Sequence, residues 1–118
     1  MWTARGAELS KYDFTTSKYF YEELRKLSVH EDVSINEFIE YLMRIGLKGK
    51  PEKFDELYYM YSRVLRYDIG NERKCSIELP SDLADIVEYC ACRYNVPKTK
   101  ILRTLIVAGL DRYVLDSI

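Results

Sequence analysis

Few side chains in this sequence have the type and spacing for covalent or metal chemistry. His30 is the single histidine and is followed by Glu31 and Asp32. An imidazole beside carboxylates could act as a general base, but such a run also describes a solvated helix end, which is the reading expected here. Cys90 and Cys92 stand two positions apart. On a helix that spacing turns the thiols to different faces, and no matching cluster elsewhere completes a metal site. Cys90 is expected as a small core residue. There is no glycine-rich phosphate loop, nucleophile elbow or paired-carboxylate signature, so neither an enzyme nor a bound cofactor is expected. The regularly spaced polar residues are Lys11, Asp13 and Thr15 in one stretch and Lys74, Ser76 and Glu78 in another. Period-two spacing lines such hydrogen-bonding groups along one face of a strand. By themselves they read as a polar, solvated sheet face.

The elements that must position them follow from the patterning. Lys74-Cys75-Ser76-Ile77-Glu78-Leu79 alternates polar and apolar residues, as a half-buried strand does. Pro80 stops it, and Ser81 is expected to cap a helix with Asp82 in its acidic first turn. Leu83, Ile86, Val87, Cys90 and Ala91 then fall at helical spacing. Asn95 suits the left-handed residue that ends such a helix. A second helix is predicted from about Pro97 to about Tyr113, with Ile101, Leu102, Leu105, Ile106, Ala108 and Gly109 on its apolar face. The order is strand, helix, short turn, helix.

The same order occurs earlier in the chain. Val33, Phe38, Ile39, Leu42, Met43, Gly46 and Leu47 recur 63 positions later as Val96, Ile101, Leu102, Leu105, Ile106, Gly109 and Leu110. The first copy has the strand Lys11 to Thr16, with Ser17 as its stop. Its first helical stripe is Phe20, Leu24 and Leu27, ending near Asp32, and Ser34 with Glu37 makes a capping box for its second helix. The copy is imperfect, since Glu23 stands where the second has Ile86. The reading is a duplication: unit 1 over 9–49, a helical connector over 50–72, and unit 2 over 73–118, the two units folding as one domain. In the connector, Phe54, Leu57, Tyr58, Tyr61 and Leu65 form one apolar face, and Asp68, Gly70 and Asn71 end the helix. It is expected to pack on the core, with a tyrosine-rich face toward another chain as the alternative.

Composition narrows the class. A chain of 118 residues with 47% apolar and 31% charged residues can bury a real core. No apolar run approaches the roughly 20 residues that span a bilayer, and no secretory signal pattern opens the sequence. Three cysteines do not suggest a disulfide framework. An intracellular, reducing location is expected. The net charge of −1 means that any nucleic-acid site must be a local basic patch.

A strand-helix-helix unit of this size cannot close a core alone, and its single strand has unpaired edges. Two units that pair strands antiparallel and interlock helices resolve both problems. This arrangement, with Ile77-Glu78-Leu79-Pro80 and then Asn95-Val96-Pro97-Lys98-Thr99-Lys100-Ile101-Leu102-Arg103, resembles the ribbon-helix-helix family of Arc and MetJ type DNA-binding regulators. Tandem versions are similar to regulators encoded by viruses of hyperthermophilic archaea, which would place this protein in a host cytoplasm. The resemblance implies a mainly α fold with a short two-stranded antiparallel β-ribbon, a pseudo-dimer within one chain. It implies double-stranded DNA as partner, with repression of transcription as outcome. Lys11, Asp13, Thr15, Lys74, Ser76 and Glu78 would read bases in the major groove. Tyr12, Phe14, Cys75, Ile77 and Leu79 would roof the core.

Phosphates would be held at the second helix of each unit, by Ser34, Ile35 and Asn36 in one and Lys98, Thr99 and Lys100 in the other. Arg73 would add charge beside the second strand. Symmetry of the ribbon about Asp13 and Ser76 puts Lys11 opposite Glu78, an exposed ion pair contributing about 0.2–1 kcal/mol that would leave Lys74 and Thr15 as the stronger readers. Arg5 and Gly6 belong to a short N-terminal arm for which disorder is the default. Several chains are expected to assemble side by side on DNA, and strand exchange between chains stays open. No membrane or small-molecule partner is expected. The rival is an antitoxin-like or assembly module that binds protein.

Overall fold

The computed structural model describes residues 9–47, 51–67 and 72–116, without the side chains of Pro51, residues 62–67 and Glu72. The arm with Arg5 and Gly6, the stop at Asp68, Gly70 and Asn71, and the Leu65 side chain lie outside the described residues. Strand β1 (Leu9–Ser17) leads into α1 (Lys18–His30) and α2 (Ile35–Leu47). A 3-10 turn (Pro51–Lys53) and α3 (Phe54–Tyr67) follow, then β2 (Glu72–Pro80), α4 (Ser81–Tyr94) and α5 (Lys98–Asp116). The fold is mainly helical, with a two-stranded antiparallel sheet of β1 and β2. Both strands are longer than the alternation alone predicts, because ladder pairing continues past the last apolar residue to Ser17 and Glu72.

Local signals explain most boundaries. The Ser17 hydroxyl accepts from the Phe20 amide at 3.0 Å, so the predicted strand stop is also the cap of α1. The capping box at α2 is reciprocal, with the Glu37 amide donating to Ser34 Oγ and the Ser34 amide to Glu37 Oε1, each at 3.1 Å. At α4 the expectation fails. Ser81 is already the first helical residue, and Pro80 before it offers no side-chain acceptor. The Asp82 carboxylate takes the Leu83 amide instead. Asp32 and Asn95 end α1 and α4 with φ of 59° and 55°. They are the two non-glycine residues of positive φ among the described residues, and the 63-residue offset relates them.

The core lies between one face of the ribbon and the helices. Phe14, Cys75, Ile77 and Leu79 point inward onto Leu24, Phe38, Ile39, Leu83, Val87 and Leu102, all buried. Tyr12 is only half-buried. The ladder pairs Lys11 with Glu78, Asp13 with Ser76 and Thr15 with Lys74, the register expected from symmetry. A one-residue slip would turn Phe14 and Ile77 to solvent. Helices α2 and α5 cross at the recurring glycines. A Cβ on Gly109 would lie 1.9 Å from the Leu42 carbonyl oxygen, and one on Gly46 would lie 2.8 Å from that of Leu105. The two contacts are again related by the offset of 63. Connector helix α3 packs on this core through Phe54, fully buried, and through half-buried Leu57 and Tyr58. The Tyr61 hydroxyl donates to Asp111 at 2.8 Å, whereas Tyr59 and Met60 remain exposed. Cys90 is buried and Cys92 exposed, as helical spacing predicts. Helix α5 runs one turn past Tyr113.

Candidate nucleic-acid interface

Alternation of the paired strands brings Lys11, Asp13, Thr15, Lys74, Ser76 and Glu78 onto the outer face of the ribbon. Thr15 is half-buried and the other five are exposed. Lys11 and Lys74 occupy diagonal corners, with Thr15 and Glu78 at the other two. Asp13 and Ser76 form the central pair. The Ser76 hydroxyl donates to Asp13 Oδ1 at 2.6 Å, and Lys74 Nζ lies 3.8 Å from Asp13 Oδ2. The hydroxyl bond first, then the charges of Lys74 and Lys11, hold the Asp13 carboxyl below the ordinary carboxylate range. The centre of the face therefore presents an ionised acceptor, with a cation toward each end.

The expected ion pair between Lys11 and Glu78 does not form among the described residues, and the carboxylate that finds a lysine is Asp13. The diagonal from Asp13 to Lys74 lies within reach of a long side chain, and it is this pair that closes to 3.8 Å. The lysine with an ion pair on this face is thus Lys74, and Lys11 has none among the described residues, the reverse of the expected division.

Asn36 has a role that its place in the sequence did not suggest. Its Nδ2 donates to the Glu78 carbonyl and its Oδ1 accepts from the Glu78 amide, both at 2.9 Å. A carboxamide supplies one donor and one acceptor at the spacing of a peptide group, so it completes the outer edge of β2 for one residue. The side chain straps α2 to the ribbon and is not turned outward to hold phosphate. Its offset partner Thr99 carries donor and acceptor on a single hydroxyl oxygen and cannot span a peptide's N–H and C=O in the same way. Ser34 is likewise engaged, in the capping box, and Ile35 is half-buried against the core.

Arg73 also differs from expectation. It stands on the ribbon parity opposite Lys74, with its guanidinium 4.1 Å above the Tyr21 ring of α1. Antiparallel pairing carries the start of β2 across to the first half of the chain. Arg73 therefore supplements the helix end of α2 and not that of α5. Arg73, Lys74 and Ser76 share a cleft of about 130 Å³ with Ile35 and Asn36. At the other helix end, Lys98 lies 3.0 Å from Glu88, whose carboxylate also accepts from the Tyr12 hydroxyl at 2.7 Å. These two contacts hold the Glu88 carboxyl below its usual range, while burial and Glu88 together push the Tyr12 phenol well above its own. Lys98 and Lys100 are exposed and Thr99 half-buried, with no acid in the first turn of α5. The Lys100 and Ile101 amides share the Pro97 carbonyl, and the earlier amides of α5 have no carbonyl in their own helix.

The candidate surface thus consists of a ribbon face and two helix N-termini, one acidic at Glu37 with Arg73 nearby, the other basic in its own right. No family model, curated protein or solved structure matches the chain.

Proposed function

We propose that the chain is a sequence-specific double-stranded DNA-binding regulator of ribbon-helix-helix type, acting as a transcriptional repressor, with its two halves paired as a pseudo-dimer in one polypeptide. Three features, one local turn and two contacts between the halves, support the pairing, since each maps onto its counterpart by the same offset of 63. They are the left-handed turns at Asp32 and Asn95, the strand ladder centred on Asp13 and Ser76, and the glycine crossing of α2 and α5. Reciprocal contacts of this kind are what a two-fold axis requires.

The observation that carries the functional reading is the outer ribbon face, where Lys11 and Lys74 stand at corners related by the same offset. A two-stranded ribbon fits the major groove. Lysines there donate to guanine acceptors, and the Asp13 carboxylate accepts from an exposed amino group, cytosine N4 being the natural partner. Phosphates are held at the α2 end with Arg73 and at the α5 end with Lys98, Thr99 and Lys100. The two ends differ in charge, so the favoured site is an imperfect palindrome. One ribbon covers a short footprint, and several chains bind side by side.

Selection of the full chain against a randomised duplex library tests this. An imperfect palindrome should be enriched, with binding that weakens steeply as salt rises. Lys11→Ala should cost more on the selected site than on random duplex, whereas Lys98→Ala should weaken both alike. No enrichment, together with no binding at low salt, overturns the proposal.

A further inference from the structure

The pairing of the two halves, on which this inference rests, exposes a difference between two equivalent grooves. Near the end of α4, one groove is filled by the chain itself. Phe54 of α3 is fully buried there, its ring 5.5 Å from that of Tyr94, and the Tyr94 hydroxyl donates to the Glu52 carbonyl. By the offset of 63, Tyr94, Lys100 and Thr104 correspond to Glu31, Glu37 and Tyr41. Those three residues, with Phe38 as floor and Tyr113 and Asp116 from the end of α5, line a groove of about 480 Å³ that stays open among the described residues. The contrast is plain at one position: Thr104 is 0% exposed and Tyr41 is 48% exposed.

The open groove has aromatic walls and an acidic rim. Tyr113 meets Phe38 edge-on at 5.3 Å and Tyr41 edge-on at 6.5 Å. The Tyr113 hydroxyl donates to Glu31, which pushes that phenol up to about 12. The charge pattern is inverted between the grooves. The turn seated in the filled one bears Asp55 and Glu56, and the position there that corresponds to Glu37 is Lys100. The open one has Glu37 at the same position, with Glu31 and Asp116 beside it.

We propose that the open groove docks a basic amphipathic helix of a partner protein, with an aromatic or aliphatic anchor against Phe38 and Tyr41 and with lysine or arginine toward the three carboxylates. Helix-in-groove recognition needs an apolar anchor and a complementary rim, and cations lie well over tyrosine faces.

Two labelled peptides copying residues 51–67 test this on the full chain by fluorescence anisotropy. One keeps the native charges, and the other carries Glu52→Lys, Asp55→Lys and Glu56→Lys. The charge-reversed peptide should bind about tenfold tighter or more. That binding should be lost in Tyr41→Ala and Asp116→Lys, both at exposed positions, with helix content by circular dichroism unchanged. Lys11→Ala should leave peptide binding intact, so this proposal and the DNA reading fail separately. Equal affinity for both peptides, no binding, or binding indifferent to Tyr41→Ala and Asp116→Lys would overturn it. Self-association of the free chain that Tyr41→Ala abolishes would assign the groove to a second copy, and would overturn it too.

Discussion

Replacing Gly109 by alanine attacks the point where α2 and α5 come closest. The added Cβ would sit 1.9 Å from the Leu42 carbonyl oxygen, about 1.4 Å short of the ~3.3 Å at which carbon and carbonyl oxygen meet comfortably. Backbone stands on both sides, so no flexible side chain can move aside. The helices must separate, which loosens the packing of Phe38, Leu42, Ile101 and Leu105, all 1% exposed or less. Overpacking of this kind costs roughly 1–3 kcal/mol, and a deficit this large belongs at the upper end or beyond. Alanine returns about 1 kcal/mol of helix propensity, so the net loss should be about 2 kcal/mol or more. Gly46→Ala is the internal control. Its Cβ would lie 2.8 Å from the Leu105 oxygen, about 0.5 Å short on the same scale. The neighbours there are backbone too, so the helices must part, but by less, and Gly46→Ala should lose stability by a smaller amount than Gly109→Ala. Urea unfolding of both variants, with the m-value unchanged, should show a much lower midpoint for Gly109→Ala. Its melting temperature should fall by about 8 °C on the scaling for chains of this size. A Gly109→Ala protein as stable as the parent, or a Gly46→Ala protein that suffers more, would refute the close crossing.

Other perturbations follow from single contacts. Asn36→Ala removes two hydrogen bonds to Glu78, each contributing about 0.5–1.5 kcal/mol. Amide exchange at Glu78 should accelerate selectively, and uniform exchange across the ribbon would argue against a strap. Arg44 holds the Asp82 carboxyl below its ordinary 3.8, first through their hydrogen bonds. Folding lowers this pKa, so the folded state binds the proton less readily than the unfolded chain. The stabilisation is present above the ordinary value and is lost as pH falls through the lowered one. Arg44→Met should therefore flatten the acid limb of a stability profile, and an unchanged limb would discount the pair. Among the thiols, burial pushes Cys90 up to about 11 and raises Cys75, while Cys92 is exposed. A thiol reagent at neutral pH should modify Cys92 at once and the other two only on unfolding. Rapid labelling of Cys90 would mean that α4 is not seated as described.

The sequence by itself determined the elements and their register. Alternation marks both strands, capping chemistry starts α2, and a constant offset places Asp13 opposite Ser76. Such features depend on neighbours in the chain or on periods of two and 3.6, and a linear string records those. The recurring glycines were visible as repeat markers, yet their use at a helix crossing was not. Only the tertiary structure decided which groups meet across the fold. It put Arg73 beside Tyr21 at the first helix end, gave Asp13 an ion pair with Lys74, turned Asn36 into an edge strap, and buried Phe54 against Tyr94. These outcomes depend on side-chain reach over a few ångströms between segments far apart in sequence. Antiparallel pairing carries the start of one strand to the other half of the chain, and local pattern holds no trace of that.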